Sequence, residues 1–210
     1  MTKGRAGSRR ALDICIVLAA GASSRMGSAK ALLSDGKGRT FLERVTASLR
    51  RGGCAAVIVV AGCHVQEIAS ALPAGALLAL NSRWEKGQLE SARVGLERAL
   101  DLEPRVVLLH LVDMPLVRAS DVARALEAAR SGRPAIDCHR GVPGHPLALP
   151  ALLARRLCAD KRAKTLHEAL ERLGVAPRQV AGSPGCVRSA NTKEELAVLL
   201  GGAAGRVSRA

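Results

Sequence analysis

Apolar residues along the chain come in two kinds of run. Short unbroken blocks occur at ICIVLA (14–19), AAVIVVAG (55–62), ALLAL (76–80) and RVVLLHLV (105–112). Their length, and in three of the four their β-branched content, predicts strands buried on both faces. Between them the spacing changes to that of a helix, as at Leu89, Ala92, Val94, Leu96 and Leu100 within 87–100. Thr40-Phe41-Leu42-Glu43 has the form of a capping box and predicts a helix running to about Arg51. A short helix through Ile68 and Leu72 is ended by Pro73. Helix 119–130, with Ser120 as its cap, is followed by a strand near 134–138 and a turn-rich GVPGHP at 141–146. Helices near 149–158 and 164–173, a strand near 175–180 and a last helix opened by a Thr192–Glu195 capping box complete the pattern.

Strands alternating with helices imply an α/β fold with a parallel sheet covered on both faces. The pattern predicts one domain over 11–200, a basic flexible tail at 1–10 and a second flexible tail at 201–210. Ligands of such sheets bind beyond the carboxyl ends of the strands. The stretches richest in small and polar residues follow 19, 62, 80 and 112 or lie in 141–146. That coincidence is the first functional signal.

Composition changes the picture in three places. At 48% hydrophobic over 210 residues, the chain can bury a sizeable core, made of aliphatics because Phe41 and Trp84 are the sole aromatics. The net charge of +14 raises nucleic-acid binding. The basic residues are dispersed, however, and the aromatics that stack on single strands are missing; the expectation is no nucleic acid, and a field that draws small polyanions. None of the six cysteines forms a C-x-x-C pair or a zinc-like spacing with histidine, as in a reduced compartment. Arg9 and Arg10 before an apolar stretch resemble a secretion signal, but Asp13 interrupts the stretch, and no run is long enough for a membrane span. A cytoplasmic protein without membrane contact is expected.

Residues 18–30, LAAGASSRMGSAK, follow the first strand. Five residues separate Gly21 from Gly27, so this is not a Walker A loop. Ser23 stands at the second glycine of a G-x-G-x-x-G, and Arg25 at the last glycine of a G-x-S-x-G elbow. What remains is a turn of small residues whose N–H groups can approach an anion, with Arg25 and Lys30 adding two positive charges. A solvated turn with incidental charges competes with that reading.

The same residues carry a resemblance. Leu18-Ala19-Ala20-Gly21, Ser24-Arg25-Met26-Gly27 and Lys30 resemble the signature loop of sugar-phosphate-type nucleotidyltransferases. Among these the chain looks most like the molybdenum cofactor cytidylyltransferases and the related guanine-dinucleotide synthases. Asn81, Trp84, Gly87, Ser91 and Gly95 match that group's N-x-x-W-x-x-G-x-x-x-S-x-x-x-G stretch, Asp113 and Pro115 its D-x-P, and Gly144-His145-Pro146 its G-H-P. Asn191-Thr192 with Glu194-Glu195-Leu196 resembles its closing metal-side segment. Two positions depart from the pattern. Asn191 stands where cytidylyltransferases often have Asp, and Gln88 where Met commonly follows the glycine.

The resemblance implies a Rossmann-like, mostly parallel sheet of the nucleotide-diphospho-sugar transferase type. It implies Mg²⁺-dependent transfer of CMP from CTP to the phosphate of a molybdopterin-type cofactor, releasing pyrophosphate. Ala20 stands where guanylyl-transferring relatives typically have Gly, which favours CTP. GMP transfer, or another phosphorylated acceptor such as a sugar or lipid-precursor phosphate, is the alternative; a non-catalytic cofactor carrier is a third. Arg25, Lys30 and Asp113 are the implied catalytic residues. Leu18, Ala19, Ala20, Gly21, Ser24, Gly62, Asn81, Gly87 and Ser91 would line the nucleotide, and Gly144 and His145 the acceptor. Asp113 and Asn191 would hold the metal, although Asn191 could equally cap the last helix. Trp84 could cover the cleft or lie in the core. A molybdoenzyme or its chaperone is a possible partner.

Overall fold

A computed structural model of the protein describes residues 12–23 and 28–191, with residues 195 and 198 beyond them. The expected tails and most of the last helix, including Thr192, lie outside the described residues. Seven strands form one sheet in the order β3-β2-β1-β4-β6-β5-β7. They are β1 (Leu12–Ala19), β2 (Ala56–Ala61), β3 (Leu77–Leu80), β4 (Pro104–Leu111), β5 (Ala135–His139), β6 (Val142–Pro150) and β7 (Arg178–Ala181). Every pairing is parallel except those of β6 with β4 and with β5. They are accompanied, among the described residues, by the helices α1 (Phe41–Arg51), α2 (Val65–Ser70), α3 (Gln88–Leu100), α4 (Ala119–Ala129), α5 (Ala151–Ala159) and α6 (Leu166–Arg172).

β1 lies between β2 and β4, which explains its unbroken apolar run. Cys15, Val17 and Ala19 face the side packed by α1 and α4, whereas Ile14, Ile16 and Leu18 face the side packed by α3 and α5. Asp13, which breaks the run in sequence, is buried at the opposite end of the sheet. There Arg105 Nη2 (3.0 Å) and Arg130 Nη2 (2.6 Å) both donate to its carboxylate. The capping box at Thr40 forms as expected: Glu43 N–H donates to Thr40 Oγ1 (3.1 Å) and Thr40 N–H to Glu43 Oε2 (2.7 Å).

Two expectations need correction. Ser120 does not cap α4. The N-cap is Arg118, two residues earlier, whose N–H donates to the buried Asp121 carboxylate at 2.9 Å. GVPGHP is not a free turn but the first part of β6. Arg140 (φ 51°) and Gly141 (φ 81°) make a two-residue hairpin turn of the kind with positive φ at both positions. Pro143, Pro146 and Pro150 disguise the strand, because proline donates no ladder bond. The structure accommodates them by pairing only Leu147–Pro150 with β4 and by a shift of register against β5 between Ile136 and Cys138. The Gly144–Pro146 end is thereby delivered beside the carboxyl end of β4.

Candidate active site

Four chain segments meet at that edge: the end of β1, the turn at 84–91, the end of β4 and the start of β6. A cleft of about 300 Å³ opens among the first three. Its lining includes Leu18, Ala19, Ala20, Gly21, Lys30, Gly87, Ser91 and Asp113, all expected from sequence. Ser23, Trp84, Gln88, Leu111 and Val112 line it as well. Ser24 and Arg25 lie outside the described residues.

The chemistry converges on Lys30. Its ammonium donates to Asp113 Oδ2 at 3.1 Å and to Asn191 Oδ1 at 2.6 Å. Its backbone N–H donates to Ser23 Oγ at 3.1 Å, which ties the loop after β1 to the short 3-10 turn at 30–32. Asp113 Oδ1 is buried and has no hydrogen-bond partner among the described residues. A buried carboxylate oxygen left bare is costly unless something outside the chain meets it. No group of three His, Cys, Asp or Glu side chains among the described residues could hold a metal. One Asp oxygen and one Asn oxygen instead suit a hard divalent cation that fills its shell with phosphate oxygens and water. The residues present therefore fit such an ion.

The Asp113-Met114-Pro115 turn is braced from three sides. Arg44 Nε on α1 donates to the Pro115 carbonyl at 2.7 Å, and Arg44 Nη1 to Asp35 at 3.2 Å. Asp35 is buried and also accepts from Arg39 and from the N–H groups of Lys37 and Arg39, so its carboxyl lies at about 2. His110 Nε2, fully buried in β4, donates to the Met114 carbonyl at 3.1 Å. Burial, reinforced by the neighbouring His145, pushes His110 down to about 3, so the ring is neutral. Finally Ala190 N–H donates to the Asp113 carbonyl at 2.9 Å, which carries Asn191 to the site. Asp35, Arg44 and His110 had no sequence signal beyond their charge, because their partners are distant in the chain.

Other expected residues stand one layer back. Asn81 is buried; its amide N–H donates to Ser91 Oγ (3.0 Å) and its carbonyl accepts from Arg83 N–H (2.9 Å). It therefore sets Ser91 and the 83–86 turn, and does not line the cleft. Gly62 allows the close approach of Trp84 to β1: an added Cβ would meet Trp84 Cβ at 2.6 Å and the Ala20 carbonyl at 2.7 Å. Half-buried Trp84 lines the cleft and also packs on the core beneath α3. Gly87, at φ 96°, needs the left-handed freedom of glycine to start α3. Gly144 passes so near the Cys186 carbonyl that an added Cβ would lie 1.9 Å away. His145 is half-buried, with its ring edge-on to His110 at 6.1 Å between centroids and Nδ1 3.4 Å from the Leu109 carbonyl.

Several known proteins are similar to this chain. Residues 15–178 match the MobA-like NTP transferase domain. Nicotine blue oxidoreductase of Paenarthrobacter nicotinovorans is 31% identical over 144 residues, which is 65% of this chain and 70% of that protein. The bifunctional protein GlmU of Burkholderia multivorans is 32% identical over 119 residues, 56% of this chain and 26% of that protein. Rv0371c from Mycobacterium tuberculosis H37Rv shares the fold with a TM-score of 0.78 at 22% identity, over 91% of this chain and 98% of that one. A nucleotidyl transferase from Methanothermobacter thermautotroptrophicus does so with a TM-score of 0.70 at 22% identity, over 88% and 94%. Another structure of Rv0371c is a complex with manganese (TM-score 0.73, 21% identity, over 90% and 98%). The family match runs from β1 to the first residue of β7 and so takes in every residue that lines the cleft: the chain belongs to the MobA-like NTP transferase domain family and is a nucleotidyltransferase.

Proposed function

We propose that the protein transfers CMP from CTP to the phosphate of a molybdopterin-type cofactor in the cytoplasm, with Mg²⁺ as the divalent ion. The observation that carries the transfer chemistry is the Lys30 ammonium held between Asp113 and Asn191 at the cleft. An acceptor phosphate monoester is already largely ionised at neutral pH, its second pKa being about 6. Its oxygen can attack the α-phosphorus directly; the bond from the α-phosphorus to the bridging oxygen breaks, and pyrophosphate leaves with the electron pair. No general base is required, only alignment and charge neutralisation. Lys30, with Arg25, would meet the triphosphate oxygens and the charge that builds on the departing pyrophosphate. Asp113 and Asn191 would hold the metal, which supplies Lewis-acid neutralisation of the phosphates. The small side chains of Ala19, Ala20 and Gly21 leave room for the nucleotide along the end of β1. Gly144 and His145 stand on the β6 side, where an acceptor would approach; a molybdoenzyme or its chaperone would take the product.

The Ala20 position supports CTP; Asn191, where cytidylyltransferases often have Asp, supports a guanylyl reading. Thermal stabilisation by CTP, GTP, ATP and UTP, each with Mg²⁺, on the wild type and Asp113→Asn separates them. CTP selectivity weakened by the substitution, followed by pyrophosphate release with molybdopterin, is the expected result. GTP selectivity would assign the guanylyl branch. If no triphosphate stabilises the protein, binding of the acceptor before the nucleotide is tested next, and the non-catalytic cofactor carrier becomes the competing reading.

A further inference from the structure

Beside the first cleft lies a second, of about 500 Å³, between the 83–86 turn, the start of α3 and the 160–164 link from α5 to α6. The two divide one run of chain. Trp84, Gly87 and Gln88 face the first; Arg83, Lys86 and Glu90 face the second. Arg83, Lys86, Arg93, Lys161 and Lys164 bring five cations to this cleft against the one carboxylate of Glu90. Glu90 is already shared by Arg83 and by Arg93, the latter at 3.8 Å. Arg93 is 9% exposed and also donates to the carbonyls of Asp160 and Ala163. Its Nε is buried with no partner among the described residues. Lys161 reaches only the exposed Glu97, at 3.5 Å, and neither Lys86 nor Lys164 has an ion-pair partner among the described residues. Arg93 ties α3 to the 160–164 link, but the charges of Lys86 and Lys164 gain nothing for the fold, and together the cations concentrate an anion.

We propose that this cleft is a second anion site that takes a phosphate group while the first is occupied. That phosphate is either the far end of a molecule whose reacting phosphate lies at Lys30, which rests on the transfer reading above, or a free anion. Inorganic phosphate is titrated calorimetrically at low salt into the variant Lys30→Ala, which disables the first cleft, and into the same variant carrying Lys86→Gln and Lys164→Gln. Loss of two charge-assisted contacts should weaken binding about tenfold or more, and Lys86→Arg with Lys164→Arg should restore it. Both lysines are exposed, so folding, checked by thermal melting, should not change. Unchanged affinity in the triple variant, or no phosphate binding by Lys30→Ala alone, would overturn the proposal. No nucleotide is added, so this outcome is independent of the transfer reaction. Glucose 1,6-bisphosphate then separates the sources. Weakening by either Lys30→Ala or the lysine pair identifies one ligand spanning both clefts, and weakening by the lysine pair alone identifies a free-anion site.

Discussion

Lys30 ties together residues from three parts of the chain, and its substitution separates chemistry from folding. The ion pair with Asp113 is about four-fifths buried on each side, with side chains 19% and 18% exposed. Removing it leaves the largely buried Asp113 carboxylate without its cation, which costs on the order of 1–3 kcal/mol of stability, whereas a group that stabilises developing phosphate charge is worth about 10²–10³ in turnover. Lys30→Ala should therefore abolish most pyrophosphate release while the protein still folds, with a melting temperature lower by several degrees; near-normal turnover would refute its role. A second residue-scale prediction concerns Asp137. It is fully buried on β5, both carboxylate oxygens lack partners among the described residues, and burial beside Asp121 pushes it up to about 7. An acid that holds its proton more tightly when folded stabilises the protein at low pH and loses that contribution as pH rises from about 4 toward 7. His110, pushed down to about 3, acts in the other direction and loses stability as pH falls below about 6.5. Between about pH 5 and about pH 8 the two contributions, each on the order of 2–3 kcal/mol, largely offset one another. Urea unfolding should therefore show little change for wild type over that interval, whereas Asp137→Asn, with only the His110 contribution left, should gain stability as pH rises. An equal slope in the variant would show that Asp137 does not titrate there. Sequence marks Lys30 through its motif, but it marks neither Asp137 nor His110, because burial depends on what packs against a strand.

At the scale of elements, α3 shows two rules in conflict. Gly95 sits in the middle of the helix, where alanine would be favoured by about 1 kcal/mol on propensity alone. A Cβ there would meet Ile16 Cγ2 at 2.4 Å and Val60 Cγ2 at 2.9 Å. Overpacking of a filled core costs about 1–3 kcal/mol, so the clash wins. Gly95→Ala should lower the melting temperature by several degrees, and a rise would mean the helix can shift away from the sheet. The helix itself was legible from its spacing, and so was the capping box of α1, because both depend on neighbours within four residues. β6 was not. Its three prolines argue against a central strand, and only the pairing of Leu147–Pro150 with β4, together with the hairpin at Arg140-Gly141, overrides them.

For the whole molecule, a net charge of +14 surrounds a cleft proposed to receive a triphosphate. Long-range attraction accelerates encounter and is screened within about 10 Å at 0.1 M salt. The ratio kcat/KM for the nucleotide should fall several-fold between about 20 and about 200 mM salt while kcat changes little; a salt-independent ratio would confine the charge to local roles. The sheet order explains why the site residues gather at one edge. Six of the seven strands run the same way and end there, and antiparallel β6 begins there, so the loops that carry function share one rim.

The alternation of strands and helices, the burial of β1 and β4 on both faces, and the loop that identifies the nucleotidyltransferase relation are all legible in the order of residues alone. These are local properties, written in periodicity, caps and contiguous motifs. Only the tertiary structure decided that Lys30, Asp113 and Asn191 meet, that Asn81 and Gly62 support the cleft from behind, and that a second basic cleft adjoins it. Apart from the local hydrogen bonds of Asn81, each is a contact between segments far apart in the chain, fixed by strand order and by the close packing of the helices on the sheet.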